Sequence, residues 1–176
     1  MAQRHWAEVR KKLEQELLCD SLKGRVRYFA TRYRKSHDGI GRVCVLVDEK
    51  EIINMPFSIE NERYAETHRR KKDETDRSFY EIHEKVCEGF AENGLFYPGD
   101  FGLALDEFLS SNIMDALHSE NYLVRMLAIM DRRTGKRTLE KIKPTISGLP
   151  EWLQYFYFLR LENGSMTEQE SVEVCT

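Results

Sequence analysis

The chain has 176 residues, of which 41% are hydrophobic, 11% aromatic and 32% charged, a composition that excludes disorder over most of its length and provides a well-solvated exterior. Twenty-seven Lys and Arg against thirty Asp and Glu leave a net charge of −3; this excludes the strongly basic profile of a nucleic-acid coat, though not a local basic patch. No apolar run approaches the roughly 18 residues of a membrane span, and the charged N-terminus lacks a signal-peptide core, so a cytoplasmic protein without membrane contact is expected.

In chain order, Trp6, Val9, Leu13, Leu17 and Leu18 recur at helical intervals and predict a helix to Cys19, broken by Asp20-Ser21 and Gly24. Residues 25–34 are rich in strand formers, with Val26, Tyr28 and Ala30 on one face and Arg25, Arg27 and Phe29 on the other. An Asp38-Gly39 turn leads into a second strand, Arg42 to Asp48, apolar on both faces at its centre and therefore covered or central. A short run, Glu51 to Met55, stops at Pro56 and completes a three-stranded antiparallel meander.

From Ser58 the periodicity becomes helical. Ser58 is an N-cap followed by acids; the cations of residues 68–72 and the anions of residues 73–76 mark a helix end near Lys72 and a new start near Asp76. Phe79, Ile82, Val86 and Phe90 form a buried stripe on the next helix, with His83 and Cys87 along its edge, and Asn93-Gly94 closes it. Pro98-Gly99-Asp100 opens a helix carrying Phe101, Leu105, Phe108 and Leu109; shorter helices follow at Ile113–Leu117 and Tyr122–Asp131. Pro150 to Leu161, apolar almost all round, predicts the buried spine of the C-terminal half or a dimer seam, ended by Asn163-Gly164. The fold class expected is α+β: an N-terminal helix and three-stranded meander (1–56) packed with a C-terminal helical bundle (57–164) in one domain, with a disordered tail over 165–176.

Candidate chemistry is sparse. Cys19, Cys44, Cys87 and Cys175 form no Cys-x-x-Cys pair, and His83 with Cys87 at i, i+4 supplies two ligands where zinc needs three or four, so no metal and no cofactor are implied. The usual nucleophile-elbow, zinc-protease, dinucleotide and calcium-loop motifs are missing from the sequence. An enzyme would therefore need Asp, Glu, His or Cys to converge from distant positions in a pocket. Charge is segregated: residues 1–56 carry 12 cations and 8 anions (+4), residues 57–120 carry 7 and 15 (−8), and residues 121–176 carry 8 and 7 (+1). Arg25, Arg27, Arg32 and Arg34 on the first hairpin are candidate nucleic-acid contacts, although strand alternation divides them between faces.

The order helix, three antiparallel strands, helix is similar to that of the double-stranded-RNA-binding module, which reads RNA by shape and phosphate contacts. Here the helix after the sheet begins with Glu60, Glu62 and Glu66, carboxylates that repel a phosphate backbone. The segment Leu127-Ala128-Ile129-Met130-Asp131-Arg132-Arg133-Thr134-Gly135-Lys136-Arg137, together with Tyr155-Phe156-Tyr157-Phe158-Leu159-Arg160, resembles a family of small, functionally uncharacterised bacterial cytosolic proteins. That resemblance spans most of the chain, is weakest over residues 60–100, and implies a bacterial cytosolic origin but no activity, cofactor or catalytic residue.

Within this segment the cations Arg132, Arg133, Lys136 and Arg137 admit two readings. One is a helix end whose cations complement the negative terminus, with Gly135 as a left-handed cap and Asp131 pairing with Arg133 or Lys136. The other is a receptor for phosphate or an acidic partner. The function expected is a non-catalytic module binding a macromolecular partner, chiefly a protein and alternatively RNA or another nucleic acid, with an enzyme of undefined class as the further alternative; oligomerisation is left open.

Overall fold

The computed structural model describes residues 6–31 and 41–169. Helix α1 (Trp6–Lys11) runs directly into a wider π-helical turn (Lys12–Leu17), closed where Leu18 N–H donates to the Leu13 carbonyl at 3.0 Å. A single 3₁₀ turn (Asp20–Leu22) then delivers the chain to the sheet. Strands β1 (Val26–Thr31), β2 (Arg42–Val47) and β3 (Lys50–Pro56) form an antiparallel meander in the order β1-β2-β3. Pairing runs Val26↔Val47 to Thr31↔Arg42 on one side of β2 and Val47↔Lys50 to Arg42↔Pro56 on the other, with an irregularity at Val45/Leu46. The central position of β2 explains its two apolar faces: Val43, Cys44, Val45 and Val47 are all buried. In β1, Val26 and Tyr28 are buried while Arg27 and Phe29 face out, as the alternation predicts. The outer edge of β1 is closed at Tyr28, whose N–H donates to the Glu14 carboxylate of the π turn at 2.8 Å.

The β2–β3 hairpin turns on Asp48 and Glu49, with φ of 48° and 64°. Two successive left-handed residues make a type I′ turn, a conformation that suits Gly far better than Glu. Arg25 holds Asp48 through two bonds of 2.8 and 2.6 Å, and Arg27 pairs with Glu49 at 2.9 Å across solvent-exposed surface. Exposed ion pairs contribute little, whereas relief of left-handed strain exceeds the added chain entropy of glycine. Glu49→Gly is therefore expected to raise unfolding stability by about 0.5 kcal/mol, read as a higher urea midpoint at unchanged slope; a lower midpoint would show that the Arg27 pair outweighs the strain.

Eight α-helices are formed in the described residues: after α1 come α2 (Ser58–Asp73), α3 (Phe79–Glu92), α4 (Pro98–Ser110), α5 (Ile113–His118), α6 (Tyr122–Met130), α7 (Lys136–Ile146) and α8 (Glu151–Gln169). The arrangement is α+β, with an N-terminal helix, the sheet, and then helices. One continuous core joins the two parts, from Leu13 and Leu22 through Tyr28, Val45 and Met55 to Phe101, Phe108, Ile129 and Phe156. Helices α2 and α3 pack chiefly on each other, with Ile59, Ile82 and Val86 buried outside that core. Ser78 and Glu81 form a capping box that starts α3. On the outer face of α2, Glu66 accepts from Arg69 and Arg70, and these bonds hold its carboxyl down at about 2.

Several features depart from the sequence pattern. Ser58 is the first residue of α2 and not its N-cap: Phe57 holds that position and no side-chain cap bond is formed. The helix buried on every side is α6, in which seven of the nine residues from Tyr122 to Met130 are enclosed, whereas α8 exposes Tyr155 and Phe158 while burying Leu153, Phe156, Tyr157 and Leu159. Helix α7 continues past Pro144, which sits in its last turn, and α8 runs through Asn163-Gly164 to Gln169. Gly135 has φ −80° and ψ 169° and precedes the first turn of α7, so it opens that helix and does not cap α6 in a left-handed conformation. The Asp38-Gly39 turn, Arg32, Arg34 and the tail segment 170–176 lie outside the described residues. No helix among the described residues is long and apolar enough to cross a membrane.

Candidate functional site

The basic corner is built around Asp131. Its backbone forms an isolated antiparallel bridge with Leu18, flanked by Cys19 N–H to the Met130 carbonyl (3.0 Å) and Arg132 N–H to the Leu17 carbonyl (2.8 Å). The Asp131 carboxylate is fully enclosed and accepts from Arg133 three times: backbone N–H at 2.7 Å, Nε at 3.0 Å and an Nη at 2.9 Å. An aspartate accepting from the residue two positions on is the standard turn-making use of its short side chain. Arg133 also lies over the Phe108 ring, 5.5 Å from its centroid, and Thr134, wholly buried, donates to the Ala128 carbonyl at 2.6 Å. All four corner cations are exposed, and Arg133 among them is bonded to the enclosed Asp131 carboxylate. Lys136 and Arg137 stand in the first turn of α7, at its positive end and not at the negative end of α6.

On the hairpin, Arg25 and Arg27 are each paired with a carboxylate of the β2–β3 turn, and Arg42 with Glu51 at 2.5 Å. Pairing with Asp48 and Glu49 raises both Arg25 and Arg27 above the ordinary guanidinium value. The described part of the cationic hairpin is therefore largely neutralised at the surface.

A concavity with several carboxylates on its lining lies elsewhere, in the acidic middle of the chain. A cleft of about 550 Å³ opens between the C-terminal half of α3, the start of α4 and the junction of α5 with α6. Each side chain is placed by local folding. Pro98 at the first position of α4, with Asp100 accepting from Tyr97 N–H at 2.9 Å, fixes Asp100 at the rim. A Cβ at Gly99 would come within 2.4 Å of the Tyr97 ring, so any larger residue there displaces that ring. Asn121 caps α6 by accepting from Leu123 N–H at 3.0 Å and thereby sets Glu120 and Tyr122 on the opposite wall. The one-turn spacing of α3 puts Glu88 and Glu92 on a single side.

The floor is apolar, made by Phe96, Ala91 and Leu123, with the exposed Leu103 at one side. Behind it, Trp152 packs edge-on against Phe96 (5.3 Å between centroids) and Tyr122 (6.4 Å). Four carboxylates, Glu88, Glu92, Asp100 and Glu120, line the cleft against one guanidinium, Arg63. Arg63 comes from α2, with a side chain only 8% exposed; it pairs with Asp100 at 2.8 Å and donates to the Leu95 carbonyl at 3.0 Å, while its buried Nε has no partner among the described residues. Asp100 is thereby compensated, and Glu88, Glu92 and Glu120 remain on exposed walls. Burial pushes the Cys87 thiol, which also lines the cleft, above its ordinary value; Asp100, Glu84 and Glu88 push the same way and Arg63 pulls against them. Among the described residues no group of three or more His, Cys, Asp or Glu is placed to hold a metal ion.

None of Arg63, Glu88, Glu92, Asp100, Glu120 and Tyr122 was marked by a sequence motif. For the carboxylates among them the trace is the balance of −8 over residues 57–120. The model of one family, described as the SF0329 protein family, matches residues 5–161. No curated protein and no solved structure matches the chain.

Proposed function

The chain belongs to the SF0329 protein family, and from that premise we propose that it is a non-catalytic binding module whose α3–α4–α6 cleft receives a cationic side chain of a partner protein. The carrying observation is the juxtaposition of three glutamates, Glu88, Glu92 and Glu120, for which no ion pair is formed among the described residues, with an apolar floor. A Lys or Arg from a basic segment lays its methylene stem on Leu103 and Phe96 and brings its charge to the carboxylates. The ring of Tyr122 adds a face on which a guanidinium stacks. Arg63 keeps Asp100 occupied and the floor rigid. A nucleic acid meets repulsion at this surface, because four carboxylates face its phosphates.

A decalysine peptide is the probe, with Trp152 fluorescence as the readout in a Trp6→Phe chain. Binding is expected to weaken with salt, and the triple variant Glu88→Gln, Glu92→Gln, Glu120→Gln is expected to lose about tenfold in affinity at low ionic strength, since each part-exposed charge contact contributes up to about 1 kcal/mol. An unchanged affinity in the triple variant removes this reading. The exposed corner provides the comparison: Arg132→Glu with Arg137→Glu leaves decalysine binding in place. Loss of DNA or RNA retention in that variant, with no decalysine binding by the parent chain, moves the interface to the corner.

A further inference from the structure

Cys87, on the cleft wall, has beside it on the same helix a histidine held in place by a third side chain. Sγ of Cys87 lies 3.6 Å from Nε2 of His83, one turn earlier on α3, and Nδ1 of the same ring lies 2.9 Å from Oγ1 of Thr67 on α2. Thr67 is wholly buried and spends its hydroxyl proton on the Arg63 carbonyl at 2.7 Å, so its oxygen is left to accept from His83. This assigns the proton to Nδ1 and aims the Nε2 lone pair at the thiol. The rings of Tyr64 and Phe79 stack on the imidazole at 4.8 and 6.1 Å and fix its plane. A thiol, a base within reach and a third group orienting the base make the arrangement of an activated nucleophile.

Two further observations point to a ligand at this thiol. Cys87 opens on the 550 Å³ cleft, whereas Cys19 and Cys44 are enclosed in the core. Arg63, more than nine-tenths buried, lines the same cleft with an Nε that has no hydrogen-bond partner among the described residues, and its guanidinium, paired with Asp100, lies on the side of the sulfur. Around the sulfur stand His83, Glu84 and Glu88 of α3, Arg63 of α2 and Asp100 of α4, so carboxylates outnumber cations.

We propose that Cys87 is a thiol–disulfide exchange site, with His83 as its general base and Thr67 as the positioning residue, and that its co-reactant is a disulfide carrying positive charge. As Sγ attacks one sulfur of the co-reactant, its proton passes to His83 Nε2; the new bond joins Cys87 to that sulfur, the original S–S bond breaks, and the departing thiolate takes the proton from His83. Cys87 is oxidised to the mixed disulfide and the departing half is reduced to a thiol. The charge preference rests on the cation-binding reading of the cleft; the dependence on His83 does not.

The test uses the full chain with Cys175→Ser, cystamine as the cationic disulfide and 3,3′-dithiodipropionate as the anionic one, with mass spectrometry locating the adduct and rates followed from pH 5 to 10. Adduct at Cys87 is expected, formed about tenfold faster with cystamine at low salt. Below the titration of the thiol, His83→Gln is expected to slow the reaction by about tenfold or more, and to converge on the parent rate at high pH where no base is needed. Thr67→Val is expected to change the pH profile, and Thr67→Ser to restore it. Parent-like rates across the pH range in both His83→Gln and Thr67→Val overturn the proposal, and if His83→Gln loses its circular dichroism the Thr67 pair decides alone. Equal rates for the two disulfides, with dependence on His83 retained, overturn the cationic co-reactant and with it the cleft reading, leaving the exchange itself supported.

Discussion

Phe156→Ala lowers the thermal unfolding midpoint by about 10 °C, while Phe158→Ala, two residues along the same helix, moves it by no more than about 2 °C. The difference follows from the rotation of α8. Phe156 is 0% exposed and meets Trp152 and Tyr155 edge-on at 6.5 and 5.5 Å, whereas Phe158 is 50% exposed. Truncating an enclosed Phe removes its transfer energy and leaves a void, together about 3–5 kcal/mol, and a chain of this length loses roughly 2–4 °C per kcal/mol. Phe158 is already half in water and leaves no void. Equal shifts, measured by calorimetry on both variants, would mean that α8 presents its other face to the core or that Phe158 is covered by a second copy of the chain.

The same helix shows how far the sequence carries. Trp152, Leu153, Tyr155, Phe156, Tyr157, Phe158 and Leu159 are apolar on every side, and composition alone reads such a helix as a buried spine. It takes the neighbouring elements to decide which side is covered: α6, shorter and with no charged residue except Arg125, occupies the centre and leaves α8 one exposed flank. The sheet was more legible, because strand alternation is a property of single residues. Val26 and Tyr28 against Arg27 and Phe29 needed no partner to be sorted.

What escaped depends on tertiary placement or on weak local rules. The π turn, closed by the Leu18 to Leu13 bond, has no residue signature of its own. Helix α7 runs two residues past Pro144, although the ring removes the N–H that would bond the carbonyl of Glu140, so a proline read as a helix breaker misplaces the end of this helix. The cleft collects Arg63, Cys87, Glu92, Asp100 and Glu120 from positions up to 57 residues apart (120 − 63), so no spacing rule reaches it. His83 and Cys87 were visible as an i, i+4 pair at the edge of a stripe; Thr67, which gives the pair its orientation, lies on another helix and was not.

Arg133→Met is expected to cost about 2–4 kcal/mol, while Arg132→Met, at the adjacent position of the same cationic run, changes stability by no more than about 0.5 kcal/mol. Both arginines are exposed to solvent, and by composition they are equivalent. The asymmetry arises at their partner: the Asp131 side chain is 0% exposed and the Arg133 side chain 44% exposed, so removing the guanidinium leaves an enclosed carboxylate with only the backbone N–H of residue 133 to satisfy it. A half-exposed cation stranded by loss of its carboxylate is rehydrated cheaply; a buried anion stranded by loss of its cation is not. Asp131→Ala is therefore expected to be the milder of the two removals at the pair, and the double variant Asp131→Ala with Arg133→Met to cost less than the sum of the single ones, which denaturant unfolding of all three measures directly. The Leu17–Cys19 seam, bonded on both sides of Asp131, reports the same event by hydrogen exchange: its amides at Cys19 and Arg132 lose protection in Arg133→Met and keep it in Arg132→Met. If the two methionine variants prove equally stable, the carboxylate of Asp131 is satisfied by something other than Arg133, and the guanidinium is then available to a ligand after all.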